Sequence, residues 1–206
     1  MTKKTGRDPI VIRKATPDDV PGITAVLSEA FYHDPVCRWI FPEDEKRTQR
    51  SSAFFGLVAR GICLPQGLTF VSEDLNAVAL WEPPLGEWPV EPDIPESAWE
   101  EITGPDSYVR LGAFGDAMDA HRPDQRHIYL SFIGVLSSAR GQGLGSALLD
   151  SGLIRRDRQG VPTNLMSSNE VNLGFYESRG YRVIAEADLP DGGPRMWDMW
   201  RDVDGG

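Results

Sequence analysis

The chain has 206 residues, 40% apolar and 25% charged, with a formal charge of −10. At this size roughly 70% of the unfolded surface is buried on folding, so no disulfide or metal staple is needed, and the acidic balance weighs against nucleic-acid and anionic-membrane binding. No run approaches the ~20 apolar residues of a membrane span, and the two cysteines and three histidines lack zinc-site spacing. No membrane partner and no metal are expected, and a reduced, cytoplasmic protein is the simple reading.

Residues 1–9 are polar and basic with no apolar run behind them, so they read as a disordered tail and not as a secretory signal. One domain is expected over 10–202, with a short tail at 203–206. A β-branched stretch at 10–14 predicts a strand. Thr16-Pro17-Asp18-Asp19 is a helix start: Thr16 suits the N-cap, Pro17 the first turn, and the two aspartates the positive end of the dipole. Val20, Ile23, Leu27 and Phe31 then share one face, and His33-Asp34-Pro35 ends that helix. A second helix is expected over 45–62, with Phe54, Phe55, Val58 and Ile62 on its apolar side. Strands at 68–72 and 77–81 flank a turn at 73–76.

The stretch 83–95 holds five prolines. Trp88 and Trp99 are placed to dock it, which predicts an ordered surface loop. A helix over 108–120, a strong strand over 127–136, a helix over 143–158, a strand over 162–167, a short helix over 170–179 and strands over 181–187 and 196–201 complete the chain. Alternating strands and helices, with hairpins at the start and end, predict a mixed α/β sheet.

The informative segment runs Ile133-Gly134-Val135-Leu136-Ser137-Ser138-Ala139-Arg140-Gly141-Gln142-Gly143-Leu144-Gly145-Ser146. A strand ends, a glycine-rich loop turns, and an amphipathic helix begins. Loop glycines let backbone N–H groups approach an anion, and the helix N-terminus adds a positive dipole, so the segment suits a pyrophosphate. A P-loop needs lysine where Gln142 stands, and a dinucleotide fingerprint needs glycine where Ser146 stands. Arg140-x-x-Gly143-x-Gly145 instead resembles the acyl-CoA loop of the GNAT acetyltransferases. Asn172-Leu173-Gly174-Phe175-Tyr176-Glu177-Ser178-Arg179-Gly180-Tyr181 is similar to that family's second signature, and it follows one strand and one helix later. The likeness covers nearly the whole chain. Shorter pieces, among them Ala79-Leu80-Trp81 and Gly193-Pro194-Arg195-Met196-Trp197, look like the branch that contains puromycin N-acetyltransferase.

The resemblance implies an acyl-CoA N-acyltransferase fold with a splayed central pair of parallel strands and the pantetheine arm in the gap. It implies acetyl-CoA as co-substrate and a primary amine of a small molecule as acceptor, with direct attack and no covalent enzyme intermediate. Ile133, Gly134 and Val135 would meet the pantetheine and acetyl group through backbone atoms, with the Val135 N–H on the thioester oxygen. Arg140, Gly141, Gln142, Gly143, Leu144, Gly145 and Ser146 would hold the pyrophosphate. Asn172 would contact the amide arm, and Tyr176 would protonate the leaving thiolate. Met166 stands where the puromycin-type enzymes carry a glutamate base; Glu170 or water is left to take its place. His33, Asp34, Trp81 and Glu82 are candidates for the acceptor pocket. A non-catalytic acyl-CoA sensor and a protein-amine acetyltransferase stay open as alternatives, as does the choice between monomer and homodimer.

Overall fold

The computed structural model describes residues 9–203. The tails expected at 1–9 and 203–206 fall almost wholly outside them. Strands β1 (Ile12–Lys14), β2 (Thr69–Ser72), β3 (Ala77–Glu82), β4 (Ile128–Val135), β5 (Thr163–Ser167), β6 (Arg182–Asp188) and β7 (Arg195–Arg201) form one sheet in the order β1-β2-β3-β4-β5-β7-β6. The β4–β5 pair is parallel and every other neighbouring pair is antiparallel, which is the mixed sheet the sequence predicts. The helices are α1 (Val20–Ala30), α2 (Pro35–Ile40), α3 (Asp44–Val58), α4 (Glu96–Thr103), α5 (Pro105–His121), α6 (Leu144–Gln159) and α7 (Leu173–Glu177).

Local chemistry sets the helix boundaries. Thr16 and Asp19 form a capping box ahead of α1. The Asp19 carboxylate also accepts two hydrogen bonds from the Arg13 guanidinium at 2.7 and 2.8 Å, which ties β1 to the helix start. That ion pair and the Thr16 donors hold the Asp19 carboxyl well below the usual carboxylate range. Asp34 does more than end α1. Its Oδ1 accepts from the Val36 and Cys37 N–H groups at 2.9 and 3.1 Å, and it opens α2, a helix that the sequence reading omits. The helix expected over 45–62 is α3 followed by a π-helical turn, Ala59–Cys63.

The proline-rich loop is held in place as expected. The Gln66 amide donates to the Val90 carbonyl at 2.7 Å, and Glu87 pairs with Arg126. Its end, however, folds into α4, which lays Trp99 against Phe54 with ring centroids 5.9 Å apart. Helix α5 begins at Pro105, earlier than predicted, because proline suits the first turn and its missing N–H costs nothing there.

The sheet carries two separate apolar clusters, and β3 shows how. Val78 and Leu80 join the cluster formed with α1, α2 and α3, while Ala77, Ala79 and Trp81 join the one formed with α6. In β4 the alternation is interrupted. Leu80 pairs with Phe132 but Trp81 pairs with Leu130, leaving Ser131 as an extra residue in a bulge. The extra residue reverses the parity, so Ile128 and Leu130 before it and Ile133 and Val135 after it all pack on the α6 side. On that side the Arg201 guanidinium grips Asp157 bidentately at 2.6 and 2.9 Å, locking β7 to α6.

Candidate active site

The parallel pair splays. β4 and β5 are in register at Ile128 with Thr163, Tyr129 with Asn164 and Leu130 with Leu165, and the register ends there. β4 continues from the Ser131 bulge to Val135 with no β5 partner, which opens a V-shaped gap. The Leu136 N–H donates to the Asn76 carbonyl beside β3. Alternation along the strand then turns the N–H groups of Ile133 and Val135 toward the gap and that of Gly134 toward β3. Gly134 lies under α1, where an added methyl would come within 3.1 Å of the Ala30 Cβ.

Beyond the gap the glycine loop turns into α6. Gly143 is its N-cap in the left-handed region at φ 90°, and no side chain caps the helix. Gly141 is also left-handed, with open space where a Cβ would sit. Arg140 and Gln142 are exposed, Leu144 is buried as the anchor of α6, and Gly145 lies against Val135. An uncapped N-terminus on a helix of 16 residues, reached through an open glycine loop with an arginine beside it, fits a pyrophosphate group. The donors present are therefore those an acyl-CoA would need.

The gap opens into a cavity of about 400 Å³. On one side it reaches Ile133, Met166, Ser167, Asn172 and Tyr176; on the other it enters a chamber walled by Phe31 at the end of α1 and by α2, α3, α4 and α5. Aromatic rings dominate that chamber: Phe31, Phe55 and Phe132 meet in tilted or edge-on pairs with centroids 5.3–5.6 Å apart.

Among the described residues the charged side chains in the cavity wall are Asp34 and Glu82. Asp34 accepts from the Ser168 hydroxyl at 2.5 Å in addition to its two helix N–H donors. Glu82 accepts from the Ser131 hydroxyl at 2.6 Å, which places a carboxylate at the bulge where the strands part. Burial pushes both carboxyls above their ordinary range, against the opposing pull of those hydroxyls. Burial likewise pushes the Tyr176 phenol well up, with the Asp34 charge adding to it. The Cys37 thiol is pushed up to about 12 by the same loss of solvent and is inert as a nucleophile.

Several predicted site residues are not brought here. Trp81 is fully buried on the opposite face, against Gly152 of α6. A strand residue and its neighbour point to opposite faces, so Trp81 and Glu82 could not share one site. His33 is exposed beside Tyr32 and lies outside the cavity wall. Glu170 is exposed in the turn before α7, with Asn169 accepting from the Val171 N–H at its start, and it too is outside the wall. The carboxylates that do line the cavity are those of Asp34 and Glu82. Ser131, Ser168 and α4 are the parts of the site that the sequence reading omits, whereas α5 belongs to the segment before His127 that the sequence assigns to the acceptor pocket. Ser131 carries no sequence signal, since a bulge depends on the partner strand; α4 carried one in Glu96 and the spacing of Trp99, Ile102 and Thr103. No group of three or more His, Cys, Asp or Glu side chains among the described residues is placed to hold a metal, and no helix among them is long and apolar enough to cross a membrane.

Comparison with known proteins agrees with this geometry. Residues 106–183 match the model of an acetyltransferase (GNAT) domain. The whole structure resembles the "histone acetyltransferase HPA2 and related acetyltransferase" of Corynebacterium glutamicum, with a TM-score of 0.75 and 26% identity over 96% of this chain and 98% of that one. It also resembles arylalkylamine N-acetyltransferase 2 from Aedes aegypti, with a TM-score of 0.65 and 13% identity over 96% and 100% of the two chains. The C-terminal condensation domain of Ebony, solved with beta-alanyl-dopamine, gives a TM-score of 0.64 and 13% identity over 95% and 99%. At that identity the last two show the fold alone. The match over residues 106–183 and the fold together support an acetyltransferase of the GNAT type, and the enzyme class is an acetyl-CoA-dependent N-acetyltransferase.

Proposed function

We propose that this single domain transfers the acetyl group of acetyl-CoA to a primary amine of a small molecule, by direct attack in the cavity between β4 and β5. The observation that carries the reading is one continuous cavity with the strand gap at one end and a carboxylate-bearing apolar chamber at the other. In this reading the backbone N–H groups of 141–146, with Arg140, hold the pyrophosphate, and Asn172 meets the amide arm. The Val135 N–H donates to the charge that develops on the acyl oxygen, a donor typically worth ~3 kcal/mol.

An alkylammonium has a pKa of about 10 and must lose a proton before its nitrogen can attack. Glu82 takes that proton. Asp34 is already occupied by two N–H groups and the Ser168 hydroxyl, whereas Glu82 answers to one side-chain hydroxyl and has a raised pKa, as a base working near neutrality requires. The new N–C bond forms as the C–S bond breaks, and Tyr176 gives its proton to the departing thiolate. Glu170, exposed and outside the wall, is not needed as the base. The short likenesses to the puromycin-type branch support a shared lineage and leave the acceptor to the chamber. A sensor that only bound acyl-CoA would have no use for two carboxylates buried beside its thioester. The test is thiol release from acetyl-CoA with a panel of aminonucleosides, arylalkylamines, polyamines and peptides. Thiol release matched mole for mole by an N-acetylated small amine supports the reading; release with peptides alone, or with nothing, rejects it.

A further inference from the structure

The helix that closes the chamber carries an unusual cost. α5 places Gly112 and Gly115 in the cavity wall, and at both positions an added Cβ would meet nothing within 4 Å. A spacing of three puts them on one helix face. Glycine inside a helix costs about 1 kcal/mol relative to alanine, and no turn or close contact of the chain requires it at either position. What the two glycines do is keep a flat strip of backbone bare along the chamber, between Leu111, Phe114 and Met118, which line the same wall.

The rest of the wall says what would lie on that strip. Of the two described carboxylates in the wall, Asp34 already accepts from two N–H groups and the Ser168 hydroxyl, which leaves Glu82 to meet one ammonium. A polyamine would bring a second cation with no free carboxylate to meet it, and a peptide would bring several amides against the apolar side chains of Leu111, Phe114 and Met118; a polar group buried without a partner costs ~1–3 kcal/mol or more. A flat ring loses nothing there, and stacks or packs edge-on against Phe and Trp.

We infer that the acceptor is a monoamine on a flat aromatic body, its amine met by Glu82 and its ring laid along α5 at Gly112 and Gly115. This rests on the acetyl-transfer reading above and names the substrate class of that same site. Gly112 and Gly115 are specificity-determining residues: they set how wide a ring the chamber admits, and they touch neither the gap nor the glycine loop.

The test is calorimetric binding of phenethylamine, ethanolamine and spermidine to the protein with and without CoA. Phenethylamine is expected to bind at least about tenfold more tightly than the other two. Gly115→Leu, which fills the strip, is expected to weaken phenethylamine by about tenfold or more while leaving CoA affinity and melting temperature unreduced. Gly115→Ala adds one methyl, and should give a smaller loss in the same direction together with a rise in melting temperature. Phenethylamine bound no more tightly than ethanolamine, or bound equally well by both glycine variants, would overturn the inference. Failure of CoA itself to bind would instead overturn the acetyl-transfer reading beneath it, whatever the amines do.

Discussion

Two helices on opposite faces of the sheet, α6 and α5, use glycine in opposite ways. On the α6 face, a Cβ at Gly152 would come within 2.5 Å of the Trp81 ring, so helix and sheet are in contact across the missing side chain. On the other face, Gly112 and Gly115 look into open cavity, with nothing within 4 Å. The first kind of glycine permits contact; the second preserves space. The α6 face is close-packed, with Leu148, Leu149 and Met199 wholly buried, and it holds the sheet and the glycine loop in fixed relation. The α5 wall has only Ser107 buried along its whole length, and it keeps a chamber at the expense of packing.

The largest expected effect comes from breaking the closed face. Gly152→Leu drives a side chain into Trp81, and overpacking of this kind costs ~3 kcal/mol or more where a rigid ring cannot move aside. A denaturant midpoint that falls sharply checks this; an unchanged midpoint would mean that α6 rides farther from the sheet. On the open face, Glu82→Gln has the opposite balance. Turnover on the best amine should fall by about a hundredfold at neutral pH, the low end of what a general base supplies, and the alkaline limb of the pH–rate profile should persist while the acidic limb vanishes. Glu170→Gln should leave the same profile unchanged.

The stability effect of Glu82→Gln has a definite sign. Burial raises the folded-state pKa of Glu82 above its ordinary 4.5. Below that ordinary value the group is protonated in both folded and unfolded chains and costs nothing. As pH rises through the raised folded value the charge appears inside the cavity wall, and stability is lost. Thermal melts of Glu82→Gln should therefore exceed wild type near pH 7 and converge with it as the pH falls toward the ordinary carboxylate range. Melts that differ equally at both pH values would contradict the assignment.

Much of this architecture is legible in the sequence because it is written locally. The glycine loop, the Thr16 N-cap and the strong β4 strand depend on neighbours within a few residues, and all appear where they are expected. α2 is not legible because Asp34 suits either a helix end or a helix start, and only its partners decide between the two. α4 was hidden by the prolines before it. Trp81 was misplaced for a different reason. β3 is buried on both faces, so it shows no polar alternation to say which side meets the chamber. The parity of Trp81 and Glu82 was readable, but which of them faced the site depended on the helices that cover each face. Ser131 and Ser168 gain their roles only from partners 49 and 134 residues away.

Smaller effects sharpen the picture at the junction of the two faces, where the gap lies. Tyr176→Phe keeps the ring and its packing against Phe175 and Tyr181, so acetyl-CoA affinity should hold while kcat falls by roughly tenfold to a hundredfold. Wild-type kcat in that variant would reduce Tyr176 to a packing role. Gly143→Asp adds a side chain and a negative charge at a left-handed position of the cradle. It should weaken acetyl-CoA binding by about tenfold, ~1.4 kcal/mol, with amine binding in the chamber untouched. Equal weakening of both ligands would mean that the substitution disturbs the fold and not the cradle alone.

The most direct measurement is a crystal structure of the protein with CoA and phenethylamine. The pyrophosphate is expected on the backbone N–H groups at the start of α6, the thiol in the gap beside Val135 and Tyr176, and the amine within hydrogen-bond reach of Glu82 with its ring on α5. CoA bound away from the glycine loop, or an amine that enters from outside the α5 wall, would contradict it.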